Sequence, residues 1–174
     1  MAVTSPETPR SSTLPRLPEE LVASTAFLLK RLGFAAKDQA MEAYARAGLN
    51  PYHHAVLAVL DEGSRETQGA IADALGYDRG QLVGLLDELE ERGLVERRRH
   101  PSDRRRHLVR LTPAGRRALG RLRTLARRLE NEFLASLDGA ERAQLHALLL
   151  RLAQQHLPRC APNMLEPPSR ATAR

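Results

Sequence analysis

Aromatic side chains are scarce in this chain, which has three Phe, three Tyr and no Trp among its 174 residues. Hydrophobic residues still make up 42% of the sequence, so the chain can bury a core. That core has to be built from Leu, Ala and Val, a composition that suits packed helices. Length and composition together predict a mainly α protein with one domain or two small ones.

Cysteine and long apolar runs are also nearly absent. Cys160 is the only cysteine, which excludes an intramolecular disulfide and a cysteine-based metal cluster. The six histidines are scattered without the i, i+4 spacing of a helical metal site, so we expect no metal and no cofactor. Because the chain has neither a membrane-length apolar run nor a signal-peptide core, we expect a cytoplasmic protein with no membrane partner.

Lysine is almost missing, since Lys30 and Lys37 are the only two among 27 basic residues. Thirteen of the arginines lie between Leu94 and Arg128, a segment with only two acids, while the rest of the chain is net acidic. This uneven distribution indicates a localised anion-binding face. Arginine suits contacts with phosphates and base edges.

Apolar periodicity and capping residues predict six helices. They run from Pro18 to about Ala47, from Pro51 to about Asp61, over Thr67–Leu75, over Asp78–Arg92, from Pro113 to the break at Asp138-Gly139, and from there to Pro158. The predicted caps are Asn50, Thr67, Asp78 with Gln81, Thr112, and Asp138 with Glu141. Residues 1–16 and 158–174 have the composition of a disordered arm and a disordered tail.

The third and fourth helices have the spacing of a helix-turn-helix, with a tight turn at Gly76-Tyr77. Two short strands, Leu94–Arg99 and His107–Thr112, follow around a turn at Pro101-Ser102-Asp103. A helix-turn-helix followed by a basic hairpin is a winged helix. The predicted fold is therefore mainly α, with a winged helix-turn-helix lobe over residues 50–112 and a small β-hairpin wing.

The hairpin carries six Arg and two His within the eleven residues 97–107. Such a concentration of charge is costly through self-repulsion unless an anion neutralises it. Double-stranded DNA fits: the second helix of the pair enters the major groove, and the hairpin reaches phosphates or the minor groove. Asp103 makes sense there if it pairs with a neighbouring Arg and fixes its direction. The alternative is a solvated hairpin without a partner.

The segment GLVERRRHPSDRRRHLVRLTPAG resembles the signature of the multiple antibiotic resistance regulator (MarR) family. The matching positions are Gly93-Leu94-Val95, Asp103 with Arg105, and Leu111-Thr112 with Gly115. Upstream, GLNPYHHAVLAVL and TQGAIADALG are similar to the family's second and third helices, and the resemblance extends over residues 21–157. It implies a homodimeric winged-helix repressor, joined through its first and last helices, that often responds to small aromatic or phenolic molecules.

The resemblance also implies which residues contact DNA. Arg105 enters the minor groove, oriented by Asp103, and the recognition helix faces the major groove with Arg79, Gly80, Gln81, Val83 and Gly84. The family often has Ser or Thr near Gly80 and a basic residue near Gly84. Glycine at both positions leaves Gln81 as the main polar base reader and lets the backbone approach closely, unless the two glycines are only tolerated losses of helix propensity. The predicted contact set is completed by Thr67, Gln68, Arg97, Arg99, Arg104, Arg106 and Arg116.

The apolar stripes of the first helix and of the two C-terminal helices exceed what a small winged helix can cover. A symmetric partner is the simplest way to bury them. We therefore expect dimerisation helices over residues 17–47 and 113–157. Two lobes of such a dimer would bind a palindromic operator with half-sites about one helical turn apart.

Effectors of the family bind where the dimer helices meet the DNA-binding lobe, which makes His53 and His54 candidate ligand contacts. Adjacent residues on a helix point about 100° apart, so at most one is expected to face a pocket. Tyr44 and Arg46 are candidates of the same kind. Either histidine could instead be an ordinary packed or interface residue.

The sequence favours some functions over others. A ligand-responsive repressor is the first, and a constitutive or architectural DNA-binding protein without an effector is the alternative. An enzyme is not expected, because no nucleophile–base pair, phosphate loop or metal set is present in the sequence. A winged helix used for protein contacts predicts acidic or apolar residues on the wing, which is the opposite of what the sequence carries.

Overall fold

The structure, a computed structural model, describes residues 16–63, 67–99 and 107–157. Within these ranges the elements are α1 Glu19–Val22, α2 Thr25–Ala45, α3 Pro51–Asp61, α4 Gln68–Leu75, α5 Arg79–Glu91, β1 Val95–Arg99, β2 His107–Leu111, α6 Pro113–Phe133 and α7 Gly139–His156. The mainly α class with one small hairpin is confirmed. The predicted arm and tail lie outside the described residues, apart from Arg16.

The chain divides into two compact units, residues 1–38 and 39–174. The described part of the first contains α1 and most of α2, and its large apolar side chains are exposed: Leu17, Leu21, Val22, Leu28, Leu29, Leu32 and Phe34. The second unit holds the hydrophobic core. Its most deeply buried members include Val56, Leu57, Ile71, Leu82, Leu86, Leu89, Val95, Val109 and Leu119.

Helix boundaries in the second unit follow from side-chain caps. Asn50 accepts a hydrogen bond from His53 N–H at 2.9 Å, and Thr67 accepts one from Ala70 N–H at 3.2 Å. The turn between α4 and α5 contains Gly76, whose φ of 70° lies in the left-handed region that glycine adopts without strain. The predicted caps and the helix-turn-helix are thus present where the sequence placed them.

The capping box predicted at the start of α5 is only half formed. Asp78 accepts from Gln81 N–H at 2.8 Å, but among the described residues the Gln81 side chain makes no reciprocal bond. The complete box occurs at α3 and at α7, where His53 and Glu141 return the bond. The Gln81 amide therefore remains available to an external partner.

Two predicted helix boundaries were wrong. The first helix breaks at Ala23-Ser24, because the Ser24 hydroxyl accepts from Phe27 N–H at 3.3 Å and caps a new helix. The long helix α6 ends at Phe133 rather than continuing to Asp138. There the backbone tightens, with Leu137 N–H donating to the Leu134 carbonyl three residues earlier at 3.0 Å.

The two strands pair antiparallel, with Val95 opposite Leu111, Arg97 opposite Val109 and Arg99 opposite His107. Val95, Val109 and Leu111 are buried, so one face of the hairpin packs on the core. An isolated bridge between Thr67 and Leu108 joins the start of α4 to the hairpin. The predicted strands are confirmed to within one residue, while the predicted turn between them lies outside the described residues.

Candidate nucleic-acid interface

The recognition helix α5 buries one side and exposes the other. Leu82, Leu85, Leu86 and Leu89 are buried. The predicted major-groove residues are all exposed in the N-terminal half of the helix: Arg79, Gly80, Gln81, Val83 and Gly84. Val83 is an apolar side chain with 41% of its surface exposed, which suits contact with a thymine methyl group. The fold therefore brings this predicted set together on one accessible surface.

The two glycines of this surface differ in their surroundings. A Cβ at Gly84 would have no atom within 4 Å, whereas a Cβ at Gly80 would lie 3.2 Å from the Asp78 carboxylate oxygen that caps the helix. Packing inside the chain therefore does not require glycine at Gly84. Glycine at this position also allows an external partner to approach the backbone of α5 closely.

The base of the wing is locked by Thr112. Its hydroxyl donates to the Gly93 carbonyl at 2.7 Å and accepts from Gly115 N–H at 3.0 Å. Its backbone N–H donates to the Leu94 carbonyl at 3.1 Å. Gly115 is buried, and a Cβ there would overlap the Leu94 carbonyl oxygen. The motif Leu-Thr-x-x-Gly thus joins the two strands of the hairpin to the first turn of α6.

Exposed arginines lie on the outer face of the hairpin and beside it. An open groove of about 590 Å³ is lined by Arg98, Arg110 and Arg116, together with the acids Asp61 and Glu96. Arg98 pairs with Glu96 at 2.9 Å. Of these arginines only Arg116 belonged to the predicted contact set. Strand alternation was the signal that could have added Arg98 and Arg110, because both lie on the face opposite the buried Val95.

Arg97 lies on the other face of β1, against α5. Its Nη1 atom is 2.6 Å from an Asp87 carboxylate oxygen and 3.2 Å from a Glu90 carboxylate oxygen. Its Nε and Nη2 atoms are buried and have no hydrogen-bond partner among the described residues. The structure therefore does not bring Arg97 to the outer face of the wing, and its predicted DNA contact stays untested.

The structure describes only some of the remaining residues that were predicted to contact DNA. Thr67 and Gln68 are half-buried at the start of α4, and the Thr67 hydroxyl serves as the helix cap. Arg99 ends β1, but its side chain lies outside the described set. The predicted wing-tip residues also lie outside the described residues: Asp103, Arg104, Arg105 and Arg106.

His53, one of the candidate ligand residues, is buried in the second unit. Its Nδ1 accepts from Asn50 N–H at 3.2 Å, which leaves the ring proton on Nε2. That nitrogen lies 3.0 Å from a Glu88 carboxylate oxygen, but its N–H is not well aligned with it. Burial, reinforced by the charge of Arg92, lowers the pKa of His53 despite the opposing effect of Glu88. His53 therefore joins α3 to α5 as a neutral side chain.

His54 faces Tyr44 instead. The Tyr44 hydroxyl lies 2.7 Å from His54 Nδ1, and the two rings stack with centroids 5.8 Å apart. Burial raises the pKa of Tyr44, while burial and the charge of Arg123 lower the pKa of His54. The structure thus pairs Tyr44 with His54, whereas the partners of His53 are Asn50 and Glu88. Arg46 is exposed and pairs with Glu42 at 2.6 Å.

Two kinds of feature are absent from the described residues. No helix among them is long and apolar enough to cross a membrane. No group of three or more His, Cys, Asp or Glu side chains in the same ranges is arranged to hold a metal ion.

Comparisons with known proteins agree with this architecture. The MarR family model matches residues 47–106. A protein of Thauera aromatica named as a transcriptional regulatory protein for the hcr operon is 38% identical over 108 residues, which are 62% of this chain and 65% of that relative. The chain therefore spans about 65% of the length of that relative.

Solved structures extend the match. A MarR-family transcriptional regulator from Rhodococcus sp. RHA1 is 31% identical, with a TM-score of 0.66 over 78% of this chain and 96% of that one. CouR from Rhodococcus jostii RHA1, bound to p-coumaroyl-CoA, is 27% identical, with a TM-score of 0.66 over 86% of this chain and 100% of that one. The chain belongs to the MarR family, whose members are transcriptional regulators and not enzymes.

Proposed function

We propose that this chain is a cytoplasmic, sequence-specific DNA-binding regulator that binds a palindromic operator as a homodimer. The observation that carries the proposal is the exposed N-terminal half of α5, next to a basic hairpin whose base is locked by Thr112. A helix with such an exposed start can enter a major groove while the hairpin reaches the backbone or the minor groove.

Base reading is assigned to Gln81. Its side-chain amide is exposed and makes no hydrogen bond among the described residues. A free amide can bind adenine through N6 and N7 at once. Gly80 and Gly84 on either side add no side chain that would hold the helix away from the base edges.

Phosphate binding is assigned to the arginines around the groove beside the hairpin. Arg98 and Arg116 expose their side chains there, and Arg116 lies in the first turn of α6, whose positive dipole end also attracts anions. Arg105 is assigned to the minor groove on the family resemblance. Such contacts release counterions and make binding strongly dependent on salt.

Dimerisation is supported by apolar surface that a single chain leaves uncovered. Leu28, Leu29, Leu32 and Phe34 are exposed in the first unit. In the second unit α7 has no buried residue, and four of its five leucines are exposed: Leu148, Leu149, Leu150 and Leu152. Surfaces of this kind mark protein–protein contacts, and a symmetric pair of chains buries both sets.

We further propose that the regulator is a repressor released by a small aromatic or phenolic ligand. CouR, which shares the fold at 27% identity, binds p-coumaroyl-CoA. In this chain the Tyr44 hydroxyl and the His54 imidazole bond to each other. Either group can exchange that bond for a hydrogen bond to a phenol. A ligand with higher affinity for one dimer geometry would shift the population away from the DNA-binding form.

A constitutive DNA-binding protein without an effector is the second candidate. It is favoured because each candidate ligand group already has a partner within the chain. The contacts are Tyr44 with His54, His53 with Asn50, and Arg46 with Glu42. A ligand would have to break one of these contacts to bind there.

Selection of duplexes from a randomised pool by the purified protein tests the proposal. We expect one palindrome to be enriched, and the most enriched sequence is called the selected duplex below. Gln81→Ala should relax discrimination at one base pair of each half-site more than it lowers total affinity. Recovery of unrelated sequences would contradict the proposal.

Release of the selected duplex by phenolic acids and their CoA thioesters separates the two candidates. A ligand-responsive repressor loses the duplex with at least one compound, and Tyr44→Phe blunts that release without changing DNA affinity. If every compound leaves the duplex bound, the constitutive candidate holds.

A further inference from the structure

We propose that Arg97 is a positioning residue that clamps the wing to the recognition helix through Asp87 and Glu90, and that it does not contact a phosphate. The inference rests on the proposed DNA-binding function. It replaces the role that the sequence suggested for this arginine with a different one.

The contacts of Arg97 span two elements. Nη1 lies 2.6 Å from Asp87 and 3.2 Å from Glu90 on α5. The backbone N–H of Arg97 also donates to Glu90 at 3.2 Å. Glu90 therefore contacts both the main chain and the side chain of the same strand residue, which ties β1 to the C-terminal half of α5 at a defined register.

Burial explains why this guanidinium is unsuited to DNA. The Arg97 side chain is only 20% exposed, and its Nε and Nη2 atoms are buried. The third nitrogen, Nη1, is already paired. The neighbouring Arg98, on the opposite face of the same strand, has a side chain that is 64% exposed. Adjacent arginines in one strand therefore have different roles.

A contribution to stability does not by itself account for the clamp. Two of its buried donors have no partner among the described residues, and buried charge that is incompletely bonded is costly. The acids Asp87 and Glu90 also lie toward the C-terminal end of α5, where negative charge opposes the helix dipole. Fixing the orientation of two elements is a role that accounts for an arrangement of this kind.

Orientation matters because two grooves have to be read at once. In the chain, α5 and β1 are joined by a short turn through Gly93, whose φ is 64°. The clamp adds a second connection beyond that turn. It fixes the angle between the helix that enters the major groove and the hairpin that reaches the backbone. Loosening it should reduce the affinity for a specific site, where both contacts must coincide.

The test compares Asp87→Asn/Glu90→Gln and Arg97→Met with Arg98→Met as the matched control. Fluorescence anisotropy is measured on the selected duplex and on a scrambled duplex, across a salt series. Asp87→Asn/Glu90→Gln, the acidic-pair variant, is the decisive one. Both side chains are half-exposed, so the chain should still fold when they are replaced. Removing acids near DNA strengthens binding by simple electrostatics, whereas loss of the clamp weakens it.

We expect the acidic-pair variant and Arg97→Met each to bind the selected duplex about tenfold more weakly. Binding to the scrambled duplex should stay within about twofold of wild type, with the salt slope unchanged. Arg97→Lys, which keeps one ion pair, should recover part of the loss. Arg98→Met should lower the salt slope by about 0.9, the value for one phosphate contact, and weaken binding to both duplexes.

Stronger or unchanged binding of the selected duplex by Asp87→Asn/Glu90→Gln would overturn the clamp. A salt slope reduced by one phosphate in Arg97→Met would also overturn it. In either case wild type still prefers the selected duplex, so the proposed function stands. A wild-type protein without that preference would overturn both proposals.

Discussion

Gly84 and Gly120 form a matched pair of exposed helical glycines, since a Cβ at either position would meet no atom within 4 Å. Alanine at each position should raise the free energy of unfolding by about 1 kcal/mol through helix propensity. Only Gly84 lies on the proposed DNA-binding surface. We therefore predict that Gly84→Ala stabilises the protein and weakens binding of the selected duplex by about tenfold, or ~1.4 kcal/mol.

Thermal melts and anisotropy titrations of both variants check this prediction. Gly120→Ala should show the gain in stability with unchanged DNA affinity. Equal DNA affinities for the two variants would mean that Gly84 is merely tolerated, and that the backbone of α5 does not approach the base edges closely.

Gly115, unlike Gly84 and Gly120, has no room for a side chain. A Cβ there would overlap the Leu94 carbonyl oxygen at the base of the wing. We predict that Gly115→Ala lowers the free energy of unfolding by about 3 kcal/mol. Urea denaturation at fixed protein concentration measures it, with Gly120→Ala as the control. A loss below about 0.5 kcal/mol would show that the junction between hairpin and α6 has room that the structure does not indicate.

The contact between α3 and α5 through His53 should make stability depend on pH. Burial lowers the pKa of His53 below its ordinary value near 6.5, so the unfolded chain binds the proton more readily than the folded one. Stability should therefore be greatest above about pH 6.5 and fall as the pH drops toward the folded-state pKa. His54, whose pKa is also lowered, contributes in the same direction.

Denaturation midpoints between about pH 5 and pH 8 measure this dependence. We predict that His53→Gln shows a shallower loss toward acid than wild type. His146→Gln, at an exposed site on α7, should keep the full loss. Parallel curves for wild type and His53→Gln would contradict the assignment of His53 as a buried neutral side chain.

At the level of helices and strands, local signals predicted most of the winged helix. Caps such as Asn50 and Thr67 set the starts of α3 and α4, and a left-handed glycine at Gly76 set the turn. These are interactions within three or four residues, which a sequence displays directly. The break at Ser24 was missed because apolar spacing continues across it, although serine was itself a cap signal.

The candidate site was predictable only in part. The exposed set on α5 came from the family resemblance, and the helical spacing of the buried leucines is consistent with it. Arg97 was grouped with the other wing arginines, yet alternation from the buried Val95 puts it on the inner face. Its partners Asp87 and Glu90 are tertiary contacts, as is the Tyr44–His54 pair. Spacing along the chain does not encode which side chains meet when two elements pack.

On the scale of the whole molecule, the exposed leucines of α7 predict a dimer. Leu148→Glu with Leu152→Glu places two charges on this surface, and we expect it to dissociate a homodimer of two 19.3 kDa chains. Gln154→Glu adds a charge about 120° or more around α7 from Leu148 and Leu152 and should leave a dimer that packs on those two leucines intact. Sedimentation equilibrium at micromolar concentration measures the mass. A monomeric wild type, or a double variant that stays dimeric, would contradict this prediction.

In the proposed function, the exposed half of α5 and the basic wing together read a DNA sequence. The most direct measurement is the affinity of the wild-type protein for the selected duplex and for a scrambled duplex, across a salt series. We predict at least about a thousandfold preference for the selected duplex and a steep loss of affinity with salt. Equal affinities for the two duplexes, or a flat salt response, would contradict the proposed function.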